Sequence, residues 1–170
     1  MDRGDTSVSL GAFQDEHLAL LAEWLEEPVV RGTWGEPSEP LDLAKDLPDR
    51  FRHALITEGA TPVGYVRWAR CGADLLDSVG CGDLPEGAVD IDLFLGGEAA
   101  RGRGIGPRAL DCLAQRLFAE GAPLLSLISS RDNSRAHRAF EKAGWERDRP
   151  FEDETFGSCW LFLRWAPKGT

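Results

Sequence analysis

Two periodicities organise the apolar positions of this chain. Residues 7–13 (SVSLGAF) alternate and predict a first strand. In 15–27 (DEHLALLAEWLEE), Leu18, Leu21, Ala22 and Leu25 share one face at helical spacing, with Asp15 as an N-cap and Pro28 as the stop. The Gly- and Pro-rich stretch 29–40 predicts a loop carrying Trp34, and 41–51 a short helix broken at Pro48. Residues 52–59 and 61–71 predict a hairpin, and 72–88 a long connection of the kind that is often functional. In 89–95 (VDIDLFL), Val89, Ile91 and Leu93 face one way while Asp90, Asp92 and Phe94 face the other. The period then returns to helical for 107–120, opened by Pro107. A buried strand is expected at 123–129, and a helix at 133–145 capped by Asn133 or Asp132 and stopped by Gly144. Closing strands are expected at 145–152 and 156–165. An antiparallel meander followed by alternating strands and helices predicts an α/β (α+β) sheet with helices on both faces, in one domain spanning 1–170.

Charge narrows the ligand class. Nineteen basic residues against 29 acidic ones give a net charge of −10, which argues against nucleic acid as the main partner. The excess suits a cationic small molecule drawn in by an acidic field, or serves only to keep the protein soluble. No apolar run approaches the ~20 residues of a membrane span, and the N-terminus shows no secretory pattern, so a cytoplasmic protein is expected. Cys71, Cys81, Cys112 and Cys159 lack C-x-x-C spacing; they read as reduced thiols, with a Cys71–Cys81 clip as the alternative. His137 and Glu141, four apart on one helix, read as a surface pair and not as metal ligands. Edge strands after residue 145 suit a monomer or a homodimer.

The stretch 101–110 (RGRGIGPRAL) carries the chemistry. Gly102, Gly104 and Gly106 let backbone amides come close to a ligand, and the helix start behind them favours a phosphate. Nothing matches G-x-x-x-x-G-K-[ST], so a P-loop is excluded. A dinucleotide fingerprint fits only loosely, since seven residues separate Leu95 from Arg103 and the motif lies far from the first β-α unit.

Arg101, Gly104 and Gly106 in an R-x-x-G-x-G pattern, followed about thirty residues later by "NSRAHRAFEKAGW", resemble the GNAT superfamily of N-acetyltransferases. That resemblance implies a twisted mixed sheet of about seven strands flanked by about four helices, with acetyl-CoA as co-substrate and no metal. It places the diphosphate on the amides of Arg101, Gly102, Arg103, Gly104, Ile105 and Gly106. It sets the pantetheine arm along the backbone of Leu93, Phe94 and Leu95, where that strand splays from the strand near Leu125–Leu127, with Asn133, Ala136 and Phe140 alongside. A backbone N–H of Leu93 or Phe94 would polarise the thioester carbonyl. Family members often have a tyrosine where this chain has Phe140, which has no proton to give to a leaving thiolate. Phe140 is therefore expected to pack on the cofactor.

Within the superfamily, "HLALLAEWLEEPVV", "TWGEP", "PVGYVRW", "DIDLFL" and "RAHRAFEKAGWER" look most like aminoglycoside 6'-N-acetyltransferases. This implies Asp92 as the general base, with Trp34 lining the acceptor site and Asp77 binding amines; Asp90, two residues from Asp92 on the same strand face, is a further candidate by its position. Asp153 and Glu154, in the acidic turn that also holds Glu152, are further candidates. An acceptor ammonium must lose a proton before its nitrogen can attack, and a carboxylate is suited to take it. One departure concerns Ile128, which stands where that subfamily commonly carries an acid, with Arg131 nearby. A siderophore-precursor amine or a protein amine is the alternative acceptor, and a CoA-binding module without catalysis is the alternative function.

Overall fold

The computed structural model describes residues 7–169. Seven strands form one sheet: β1 (Val8–Ala12), β2 (Phe51–Glu58), β3 (Thr61–Arg70), β4 (Val89–Leu95), β5 (Leu124–Ser130), β6 (Glu146–Asp153) and β7 (Gly157–Trp165). Their order is β1-β2-β3-β4-β5-β7-β6. All neighbours are antiparallel except β4 and β5, which run parallel and pair only at Val89–Leu125 and Asp90–Ser126. Past Asp90 the two strands part. The β5-facing edge of β4 from Ile91 onward therefore has no ladder partner, and the sheet opens there as a wedge.

Side-chain alternation divides the core between the faces. Ala54, Ile56, Val66, Trp68, Val89, Ile91, Leu125 and Leu127 pack under Ile105, Ala109, Leu110, Leu113, Ala114 and Leu117 of α5 (Ile105–Ala119). The opposite face holds two separate clusters. Leu55, Tyr65 and Phe94 pack with Leu21, Trp24, Leu25, Val30 and Trp34 from α1 (Leu18–Leu25) and α2 (Pro28–Trp34). Leu124, Leu161 and Leu163 pack with Leu76, Leu84 and the buried thiols of Cys71 and Cys81, around α4 (Ala73–Ser78). Asp90 and Asp92 share this second face with Phe94, so they sit where the apolar cover is interrupted.

The described residues contain six α-helices, more than the resemblance implies, because two fall in segments read as loops. Residues 29–40 contribute α2 and the start of α3 (Ser38–Lys45), and 72–88 contains α4. Their Gly and Pro content masked them: Pro28 occupies the first turn of α2, where the missing N–H has no intrahelical partner to lose. Pro28 thus both ends the α1 region and starts the next helix, and Trp34 lies on a helix instead of a loop. For the same reason Pro107 is tolerated as the third residue of α5, which begins two residues earlier than its sequence signal. The final helix, α6, spans Ser134–Lys142 and stops before Gly144 at φ +91°. No helix among the described residues is long and apolar enough to cross a membrane.

Candidate active site

Backbone geometry at the start of α5 makes an anion cradle. Gly102 and Gly104 both adopt φ +74°, a left-handed conformation that side chains resist. The amides of Gly102, Arg103 and Gly104 donate to no backbone carbonyl among the described residues, and Ile105 and Gly106 stand in the first turn, where amides lack intrahelical acceptors. The space beside Gly104 is open: a Cβ built there would meet nothing within 4 Å. Aligned free amides at a helix N-terminus suit a diphosphate.

Arg101 departs from the expected role. Its amide donates to Glu98 O at 3.2 Å, and its guanidinium donates to Glu27 at 2.6 Å and to Leu95 O at 3.1 Å. Glu27 also accepts from the Gly97 amide at 2.9 Å. Arg101 is therefore a brace between α2 and the end of β4, with both its amide and its side chain already engaged. Arg103 is paired with Glu58 through two hydrogen bonds of 3.0 and 2.8 Å. Arg135, which the sequence reading missed, lies over Gly102: a Cβ on that glycine would come within 2.7 Å of its Nη2. It has no carboxylate partner among the described residues. Only the fold, by setting α6 beside the loop, reveals it.

Around the wedge, Leu93 and Leu95 lean on the α5 face and Phe94 is buried in the opposite cluster, so these three residues offer a ligand backbone groups and not side chains. Asn133 caps α6, its Oδ1 accepting from Ala136 N at 3.4 Å. Phe140 is half-buried and meets Phe162 edge-on at 5.4 Å. His137 is a correction: it is buried, with Nε2 at 2.9 Å from Ser130 O, and Glu141 pairs with Arg147 instead. No group of three or more His, Cys, Asp or Glu side chains suited to a metal occurs among the described residues.

The acidic side of the site starts at β4. Asp90 accepts a 2.8 Å hydrogen bond from Ser126 Oγ at the last paired position of the wedge. Burial first, and the neighbouring Asp92 second, push its carboxyl up to about 7, against the opposing effects of Ser126 and Arg67. Asp92 is also raised by burial, with Asp153 adding to the shift and the charge and hydrogen bond of Arg67 working against it. Two carboxylates on one strand face thus share a site where both cannot ionise freely. Asp153 closes β6 at its turn into β7 and accepts from the amides of Thr155 and Phe156 at 2.9 Å each. Glu154 is exposed on the same turn. Phe151 to Thr155, together with Ser78 and Val79, line an open cleft of about 590 Å³. Gly35 faces this turn: a Cβ there would lie 3.5 Å from Thr155 Cγ2, which brings the end of α2 to the turn.

Trp34 is largely buried, edge-on to Phe94 at 5.0 Å and to Tyr65 at 6.0 Å. Its ring carries the guanidinium of Arg67, whose Cζ is 4.5 Å from the centroid, and Arg67 Nε donates to Asp92 Oδ2 at 3.3 Å. Arg67 stands directly opposite Asp92 in the β3–β4 register, a pairing that "PVGYVRW" does not reveal until the strands are aligned. Asp77 is not brought to this place: its carboxylate folds against Gly82 of its own loop, and Ser78 and Val79 line the cleft instead. Ile128 is partly buried against the cluster around Leu76 and Leu84, so this position presents an apolar side chain.

A splayed parallel strand pair, an amide cradle at the helix behind it and a carboxylate on the strand edge together define an acyl-transfer fold, that of an acetyltransferase. The comparisons agree: the model of the acetyltransferase (GNAT) domain matches residues 14–153, and the chain belongs to the GNAT acetyltransferase family. Among known proteins it is similar to the aminoglycoside N(6')-acetyltransferases type 1 of Klebsiella pneumoniae and Serratia marcescens, each 30% identical over 152 residues that cover 83% of this chain and 75% of the relative. Its fold is similar to that of AAC(6')-Ib solved in complex with ribostamycin and coenzyme A (TM-score 0.79, 24% identity, covering 94% of this chain and 93% of that one). It is also similar to a spermidine N-acetyltransferase from Vibrio cholerae solved with CoA and spermine (TM-score 0.73, 12% identity, covering 94% and 95%).

Proposed function

We propose that this enzyme transfers the acetyl group of acetyl-CoA directly to a primary amine of an aminoglycoside, at the 6' position. The observation that carries the reading is Asp92: a carboxylate of raised proton affinity on β4, where the parallel pairing has just ended. The amides of Gly102 to Gly106, with Arg135 beside them, fit the diphosphate, and the free edge of β4 fits the pantetheine arm. Bound acetyl-CoA supplies a thioester whose carbonyl carbon accepts the amine nitrogen as its C–S bond breaks. Asp92, directly or through one water, takes the proton that the acceptor ammonium must lose. A β4 backbone N–H in the wedge steadies charge building on the carbonyl oxygen. Phe140 gives the departing sulfur no proton; a CoA thiolate is a tolerable leaving group, since free thiols titrate near ~8.5. The acidic cleft, together with the 30% identity to aminoglycoside acetyltransferases, supports a cationic sugar as acceptor.

The test is thiol release from acetyl-CoA over a panel of amines. Kanamycin or ribostamycin is expected to be acetylated, and Asp92→Asn to lower kcat/KM by about 10²–10⁴-fold with acetyl-CoA affinity unchanged. Turnover of siderophore-type or protein amines alone contradicts the acceptor assignment. Full activity in Asp92→Asn contradicts the base.

A further inference from the structure

The acceptor side of the sheet contains a cation. Arg67 and Asp92 stand opposite one another on β3 and β4, and His53 stands opposite Arg67 on β2. Of the guanidinium nitrogens only Nε is used, donating to Asp92 at 3.3 Å. Arginine–carboxylate pairs that serve only to hold one another are frequently bidentate, with two parallel N–H bonds. Here Nη1 and Nη2 have no hydrogen-bond partner among the described residues, although the side chain is only 19% exposed. The one fully buried side-chain nitrogen left without a partner among those residues is Trp145 Nε1, so the terminal nitrogens of Arg67 reach solvent. The guanidinium lies over the Trp34 ring, with Phe51 farther off at 5.9 Å.

Resting on the reading of this face as the acceptor site, we propose that Arg67 is a specificity-determining residue: its free N–H groups take an oxygen of the acceptor close to the reacting amine, and its charge turns away acceptors with a second ammonium there. A guanidinium offers donors only, so a hydroxyl or ether oxygen satisfies it and an ammonium cannot. Asp92 and Asp153 then serve the reacting nitrogen, while Arg67 reads its neighbour. Within an acidic protein the site is selective for one amine among oxygens, in preference to two amines side by side.

The test compares matched pairs that differ by one hydroxyl or one amine beside the reacting amine: ethanolamine against ethylenediamine, and 3-aminopropanol against 1,3-diaminopropane, with kanamycin assayed alongside. Both kcat/KM and affinity for the CoA-bound enzyme are read. Wild type is expected to favour the hydroxyl member of a pair by about tenfold or more, since juxtaposed like charges are strongly penalised. Arg67→Gln is expected to erase that preference, and Arg67→Lys, which keeps the charge, to retain it. Equal treatment of both members by wild type overturns the assignment even if neither variant folds. So does an Arg67→Gln variant that slows both members alike with the ratio unchanged, which would make Arg67 a positioning residue for Asp92. Acetylation of the amino alcohols but not of kanamycin overturns the aminoglycoside reading and leaves the Arg67 test intact. Binding of no member of either pair overturns both.

Discussion

In the proposed reaction, Asp90 and Asp92 are the residues on which the chemistry turns. Both are pushed toward holding a proton, Asp90 up to about 7. Activity is therefore expected to rise with pH along a limb above the usual carboxylate range, with apparent values that belong to the pair. A kcat/KM profile checks this; a limb near pH 4 contradicts it. Stability runs the other way. A carboxyl with a raised folded-state pKa keeps its proton in the native state where the unfolded chain has lost it, so stability falls as pH rises from about 4 toward 7. Asp90→Asn removes the Asp90 share of that dependence, and its amide oxygen can still accept from Ser126 Oγ. Thermal unfolding is expected to give a variant more stable than wild type at pH 8 by about 2–8 °C, with the two converging near pH 3. Alternation in "DIDLFL" placed Asp90 and Asp92 on one strand face, and the family resemblance supplied the role expected of Asp92. Arg67 was not, because its meaning depends on a register with a strand twenty-five positions away. Arg101 misled for a related reason: an arginine beside glycines suggests phosphate, and only the fold brings Glu27 to it.

At the level of elements, the glycine turn before α5 is the part most dependent on backbone shape. Gly104→Ala forces a side chain into φ +74°, at a cost of about 1–2 kcal/mol, and places a methyl in the open space where the amides converge. Acetyl-CoA affinity is expected to drop about 10–100-fold, with thermal stability only modestly lower; calorimetric titration reads the first and melting the second. Unchanged affinity contradicts the cradle. This element was plain in the sequence because glycine spacing and a helix start are local signals. The strands were plain too, since alternation is local. Helices α2 and α4 were hidden: short, set among Gly and Pro residues and held by packing of Val30, Trp34 and Leu76, they show too few turns for a period to register. The wedge between β4 and β5 was expected only through family resemblance, because nothing in either strand's own pattern says where the pairing stops.

The whole molecule adds a long-range field. A net charge of −10 favours approach of a cationic acceptor and opposes that of anionic acetyl-CoA. Raising ionic strength from about 0.05 to about 0.5 M should increase KM for the aminoglycoside several-fold while leaving KM for acetyl-CoA level or lower. A salt-insensitive acceptor KM would mean that the charge serves solubility alone. At this scale the account makes one connected claim: the amide cradle, the open strand pair and the Asp92 carboxylate lie along a single ligand path. The most direct measurement is a crystal structure of the enzyme with CoA and kanamycin. It is expected to show the diphosphate on the amides of Gly102 to Gly106, the thiol between β4 and β5, and the acceptor amine within about 2.6–3.2 Å of Asp92 or joined to it through one water. A thiol terminus remote from Asp92, or a diphosphate seated away from that turn, would contradict it.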